Sequence, residues 1–180
     1  MTVSVHQPNF VPYIGFFEKM KQSDVFVIMG YCQFEKGKYQ NRFYTGSNWH
    51  TMSVNSGLIP IIKKRYINPL KDWEKITTKF NKLQEFNDLI SHDLWRTNTA
   101  IIVRAANMLG IKTKIVFDYP TDLKATDRLV DLCRHYGATK YLSGISGKNY
   151  LDRALFAEYK IDLEFQDETT IDKRSLVECI

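Results

Sequence analysis

His6, Gln7 and Asn9 stand around Pro8, directly after the run Val3-Ser4-Val5. An imidazole there can donate to a phosphate or act as an acid–base group near neutral pH. Gln7 and Asn9 add amide donors and acceptors. Pro8 and Pro12 stiffen the loop, which lowers the entropy lost on binding. His6 is the expected catalytic residue, with Gln7, Asn9 and Tyr13 as substrate-binding neighbours. Gly15 would let backbone approach a ligand at the start of the following helix, where free N–H groups favour an anion. A second group is Ser143-Gly144-Ile145-Ser146-Gly147-Lys148. Glycines expose backbone N–H groups, serines donate and the lysine supplies charge, so Ser143, Gly144, Ser146 and Lys148 are expected to cradle a phosphate or sugar. It is not a Walker A loop, which needs G-x-x-x-x-G-K-[ST], and a plain strand-to-helix turn is the competing reading. In the third group, Gln40-Asn41-Arg42, the guanidinium can grip a carboxylate or phosphate bidentately. Lys36 and Lys38 make that stretch basic, against the reading of a hairpin with an exposed arginine.

The elements that must position these residues follow from the apolar pattern. Val3-Ser4-Val5-His6 is a short strand stopped by Pro8, Ile14 to Met20 a helix, and Val25-Phe26-Val27-Ile28-Met29 a strand apolar on both faces. Such strands belong to parallel sheets covered by helices. His6 then lies at the carboxyl end of a strand, where open α/β sheets bind ligands. Residues 30–62, punctuated by Gly30, Gly37, Gly46 and Gly57, read as a small β-rich insertion with hairpins. Helices are expected over Pro69–Phe80 and, in two pieces broken near Ser91-His92, over Leu83–Leu109, where Gly110 supplies a left-handed cap. Lys114–Phe117 and Lys140–Ser143 read as strands, Ala125–Tyr136 and Leu151–Tyr159 as helices, and Ile161–Phe165 as a strand with one wet face. The expected fold is α/β, a Rossmann-like parallel sheet flanked by helices, as one domain over residues 1–180. A helix-like Arg174–Glu178 before the stop at Ile180 reads as a shortened C-terminus.

Composition bounds the function. The hydrophobic fraction of 44% with 13% aromatics supports a core and excludes disorder. No apolar run approaches the roughly 18 to 20 residues that span a bilayer, and no secretory signal is visible. Cys32, Cys133 and Cys179 are odd in number and without a CxxC pair, poor as disulfides and poor as a zinc site; the expected location is cytoplasmic. His50 and His92 lack spaced partners, His135 reads as a helix-end cap, and no metal site is expected. Residues 1–82 carry 12 Lys/Arg against 5 Asp/Glu, whereas residues 83–180 carry 13 against 15. The electropositive first half suits an anionic small molecule, a nucleotide or nucleotide sugar, with nucleic acid less favoured. Asp72 and Glu74 interrupt the basic cluster that starts at Lys63-Lys64-Arg65, which therefore reads as a solvated face.

Several ordered blocks resemble the WbqC-like protein family. They are His6-Gln7-Pro8-Asn9-Phe10-Val11-Pro12-Tyr13-Ile14-Gly15-Phe16-Phe17, Gln22–Ile28, Gln33–Gly37, Gln40-Asn41-Arg42, Leu109–Thr113, and Tyr141–Gly147 with Tyr150-Leu151-Asp152. The resemblance implies a place in bacterial surface-polysaccharide (O-antigen) or related modification, and a transferase adding an acyl or aminoacyl group such as glycine to an amino group of a nucleotide sugar. It implies no settled cofactor; ATP with magnesium is one candidate. Two departures stand out. Family members usually carry an Asp pair after the second strand, where this chain has Gly30-Tyr31, and a His-Pro segment after Phe165-Gln166, where it has Asp167-Glu168-Thr169-Thr170. The layout is also similar to the nucleotidylyltransferase and pantothenate-synthetase class, but Tyr13 and Phe16 stand where that class has histidines. The alternatives are group transfer onto a nucleic-acid base and a non-catalytic nucleotide-binding subunit.

Overall fold

The computed structural model describes residues 1–169 and 171–179. Five strands, β1 (Thr2–His6), β2 (Val25–Ile28), β5 (Lys114–Phe117), β6 (Lys140–Ser143) and β7 (Asp162–Phe165), form one sheet. Its order is β5-β2-β1-β6-β7, with every neighbouring pair parallel. A small antiparallel pair, β3 (Arg42–Tyr44) and β4 (Trp49–Thr51), lies in the insertion. Helices α1 (Ile14–Lys21), α2 (Pro69–Thr77), α3 (Leu94–Met108), α4 (Ala125–His135) and α5 (Arg153–Glu158) complete the frame. This is the expected Rossmann-like α/β architecture. Among the described residues no helix is long and apolar enough to cross a membrane.

The two faces of the sheet make two cores. Val3, Val5, Val25 and Val27 meet Leu129, Leu132 and Cys133 of α4 and Phe156 of α5. The alternate residues Phe26 and Ile28 join Phe16, Phe17 and Met20 of α1, Ile101 and Ile102 of α3, and much of the insertion. A strand with both faces covered must be apolar at every position, so the unbroken run of β2 was readable without alternation. The predicted second helix ends earlier than expected, at Thr77, and the stretch before α3 is a 3-10 run over Asn81–Leu89 with Asp93 capping α3 through Arg96 N. The expected helix-like end reduces to a short 3-10 turn over Leu176–Glu178.

Chain order fixes a crevice. From β1 the chain runs through α1 to β2 on one side, and only after β5 and α4 does it return to β6 on the other side. The loops after β1 and β6 therefore diverge at the carboxyl edge, the place where doubly wound sheets bind ligands.

Two expectations need revision. Lys64 belongs to no solvated face: it is buried, over the Phe34 ring, and its ammonium donates to the carbonyls of Ser56 and Gly57. The start of α1 is also not an open anion site. The N–H groups of Ile14 and Gly15 donate to the carbonyls of Arg174 and Asp172, at 2.9 and 2.8 Å. The C-terminal segment covers them, anchored by buried Leu176. A Cβ on Gly15 would stand 2.7 Å from Ile171, so glycine here serves close packing of the chain's own tail.

Candidate functional site

A cavity of about 970 Å³ opens at the carboxyl edge of the sheet, at the crevice between β1 and β6. Eight of the expected site residues stand in its wall, brought from three separate stretches: His6, Gln7, Asn9 and Tyr13; Gln40; and Ser143, Gly144 and Ser146. Gly15, Asn41, Arg42 and Lys148 are not in that wall. Asn41 is buried and donates to Met52 O at 2.7 Å, tying the insertion together. Arg42 donates to the Gly37 carbonyl and lies over the Trp49 ring, 3.8 Å from its centroid. Lys148 is exposed and stands 5.9 Å from the centroid of Phe165.

The loop after β1 is held under tension and pinned from below. Val11, β-branched and buried, has φ +44°, a conformation such residues rarely adopt. Strain of this kind persists only where the surroundings over-determine it. The main restraint is Asn98 of α3, fully buried. Its Nδ2 donates to the carbonyls of Pro8 and Gln40, at 2.8 and 2.7 Å, and its Oδ1 accepts from Tyr66 Oη at 2.7 Å. One amide thus locks two walls of the cavity together, and nothing in its local sequence marks it.

His6 Nδ1 donates to Gln7 O at 2.9 Å; a carbonyl can only accept, so the neutral ring presents Nε2 as a lone-pair acceptor. Burial, then the nearby charge of Lys19, pull its pKa down to about 3, against a smaller opposing pull from the Gln7 carbonyl. At neutral pH His6 is therefore an uncharged acceptor, and the role of charge stabiliser falls away for the free protein. Asn9 is only 4% exposed, lines the cavity, and its side chain makes no hydrogen bond to any described residue. Gln40 Nε2 donates to Gln7 Oε1, and Gln7 Nε2 donates to Glu35 at 3.1 Å. The carboxylate can only accept, so it fixes both amides in one orientation.

Lys19 and Arg128 in the wall, and Asp118 behind it, carry no signal in the sequence. Lys19 looks like an ordinary surface lysine of an amphipathic helix, yet it is 3% exposed and reaches under the end of β1. Arg128 lines the cavity with its guanidinium bound to Asp118 at 3.3 Å and Asp131 at 3.0 Å. Asp118, at the end of β5, also accepts from the N–H of Gly30 at 2.8 Å and Tyr31 at 3.3 Å. Asp118 thus ties the end of β2 to Arg128 from one strand away, outside the cavity wall. A Cβ on Gly30 would lie 2.5 Å from the Trp95 ring, so a side chain at that position has no room. Cys32 lines the cavity as well, but burial and then Asp118 raise its thiol to about 12, so it is no nucleophile.

The late loop contributes less than its composition suggests. Ser143 is buried with Oγ donating to Gly144 O at 3.0 Å, and Gly147 N donates to the same carbonyl at 3.0 Å. From the cavity wall outward, Tyr13, Tyr39, Trp49 and Tyr44 follow one another at centroid spacings of 6.3, 5.2 and 5.2 Å. Among the described residues no three His, Cys, Asp or Glu side chains converge as a metal site would require.

The WbqC-like protein family model matches residues 7–173. The uncharacterized protein Rv1507c of Mycobacterium tuberculosis is similar, 25% identical over 194 residues that cover 92% of this chain and 81% of the relative. No solved structure matches. With a match over nearly its whole length, the chain belongs to the WbqC-like protein family.

Proposed function

We propose that this protein is a transferase of surface-polysaccharide or related modification, joining an acyl or aminoacyl group to an amino group of a nucleotide sugar. One observation carries the reading: a strand-end cavity whose wall holds an uncharged histidine acceptor beside polar and cationic side chains with unmet bonding capacity. An amine attacking an acyl carbon forms the new C–N bond, breaks the bond to the leaving group and must release a proton. His6 Nε2 is the acceptor that the wall offers to that proton. Tyr13 and Tyr39 flank the mouth for a ring, while Asn9 and Ser146 bond to polar groups of the ligand. Family membership supports the pathway; the acyl donor follows from the resemblance and not from the cavity.

The deciding experiment incubates the protein with UDP-glucosamine and other nucleotide amino sugars, and with glycine, with and without ATP and magnesium. Mass spectrometry should find the acyl or aminoacyl adduct, lost in His6→Ala. No adduct under any donor, together with ligand binding that His6→Ala leaves untouched, sinks the proposal. Clean nucleotide binding without turnover would instead favour a non-catalytic binding subunit.

A second reading, group transfer onto a nucleic-acid base, is favoured by the row of half-exposed rings with Arg42 stacked on it. Bases stack on such rows and phosphates pair with the cations beside them. Binding of single-stranded RNA that falls steeply with salt would select this reading.

A further inference from the structure

Among the described residues two lysines are buried, and their surroundings differ in a way that assigns them different work. Lys64 donates to two carbonyls, those of Ser56 and Gly57, and lies over an aromatic ring away from the cavity. Its bonds explain its burial. Lys19 donates to one carbonyl, Val5 O at 3.2 Å, and stands in the cavity wall. Among the described residues it forms no ion pair, although six such pairs occur elsewhere. An ammonium has three donors. A buried charge without a partner is costly and is rarely retained unless something completes it.

Among the described residues nothing around Lys19 in the free protein completes it. On its own helix, Glu18 turns to the Asp172 amide at 3.4 Å, and Lys21 repels. From β1 comes the His6 ring, and from β2 the Phe26 ring, with its centroid 5.8 Å away. Across the cavity, Glu35 already accepts from Gln7, Arg128 is held by Asp118 and Asp131, and Lys38 and Lys124 add like charge. The wall therefore offers a buried amine that lacks one thing, an anionic oxygen.

We infer that Lys19 Nζ binds a phosphate or carboxylate oxygen of the ligand at the carboxyl end of β1, and takes up a proton as it does so. This rests on the reading of the cavity as a site for a small anionic ligand, and it adds the group that meets the charge. Burial brings the Lys19 ammonium down to about 7, so near neutral pH much of the free protein carries the uncharged amine. An anion restores the ammonium and raises its proton affinity.

Calorimetric titration in two buffers of unlike ionisation enthalpy counts the protons, with UDP, uridine, glycine and inorganic phosphate as separate ligands. With UDP, uptake should rise from roughly half a proton at pH 7 to nearly one at pH 8.5, as an amine titrating near 7 requires. Uridine, lacking phosphate, should bind weakly and without uptake. Lys19→Met should abolish the uptake and weaken UDP binding roughly ten- to hundredfold. His6→Gln should keep the uptake, which separates the two groups. The Met variant should melt no lower than the native protein at pH 7, because it removes an unpaired buried amine. If it does not fold, the pH trend in the native protein decides alone.

UDP binding without uptake, or uptake that survives in Lys19→Met, overturns the inference and leaves the nucleotide reading standing. Uptake with phosphate or glycine but no UDP binding keeps the inference and removes the nucleotide. No uptake with any anion overturns it outright.

Discussion

Two loops border the cavity, one after β1 and one after β6, and on composition they look alike: polar, glycine-bearing, at strand ends. Their bonding is opposite. The early loop is held by groups outside itself, the Asn98 amide below and the Tyr39 carbonyl, which accepts from Phe10 N at 2.8 Å. It therefore leaves Asn9 and the His6 acceptor nitrogen free for a ligand. The late loop holds itself. Ser143 Oγ and Gly147 N share the Gly144 carbonyl, and Gly147 O accepts from the amides of Tyr150 and Leu151. Polar content does not measure binding capacity; what counts is how much of it the fold leaves unmet.

Asn98→Ala tests the external restraint most severely. It orphans two buried carbonyls and a tyrosine hydroxyl, and should cost about 3–5 kcal/mol in denaturant unfolding. A loss below about 1 kcal/mol would mean the early loop does not depend on that amide. His6→Gln comes next. The folded His6 pKa, about 3, lies below the unfolded value of 6.5, so the unfolded chain binds the extra proton as pH falls through that interval. The native protein should then lose stability relative to the variant between pH 6.5 and 3, at most about 1.4 kcal/mol per pH unit. Parallel melting curves from pH 7 to 4 would show that His6 is not held neutral by the fold.

The glycines of the late loop separate packing from binding. A Cβ at Gly147 would lie 2.2 Å from Ser143 Oγ, whereas at Gly144 the nearest atom is 3.9 Å away. Gly147→Ala should cost about 1–3 kcal/mol by overpacking, and Gly144→Ala should stay within about 0.5 kcal/mol. The smallest effects on stability sharpen the comparison most. Asn9→Ala should weaken UDP binding roughly tenfold with little change in melting, as loss of one ligand hydrogen bond does. Ser143→Ala should leave UDP binding within about twofold, because its hydroxyl is already bonded inside the loop. Equal losses in the two variants would erase the distinction between the loops.

Features carried by neighbours in the chain were legible beforehand. The apolar run of β2 and the stop of β1 before Pro8 are local. So is the position of His6 at a strand end, and with it the side of the sheet where the cavity opens. Features carried by distant partners were not. Lys19 has the spacing of a surface lysine, and only the end of β1 packed against α1 buries it. Gly15 reads as an anion site until the chain's own tail, more than a hundred residues later, takes its amide. Nothing in the sequence pairs Asp118 with Arg128; the fold brings them together, with β5 beside β2 and α4 packed over them.

The sequence by itself determined the family, through ordered blocks of matching residues, and the parallel sheet and the strand end that carries His6, through short-range apolar patterning. The tertiary structure alone decided which polar groups remain available. A hydrogen-bonding side chain acts on a ligand only if no neighbour in the fold has already taken its bond, and most of those neighbours come from elsewhere in the chain.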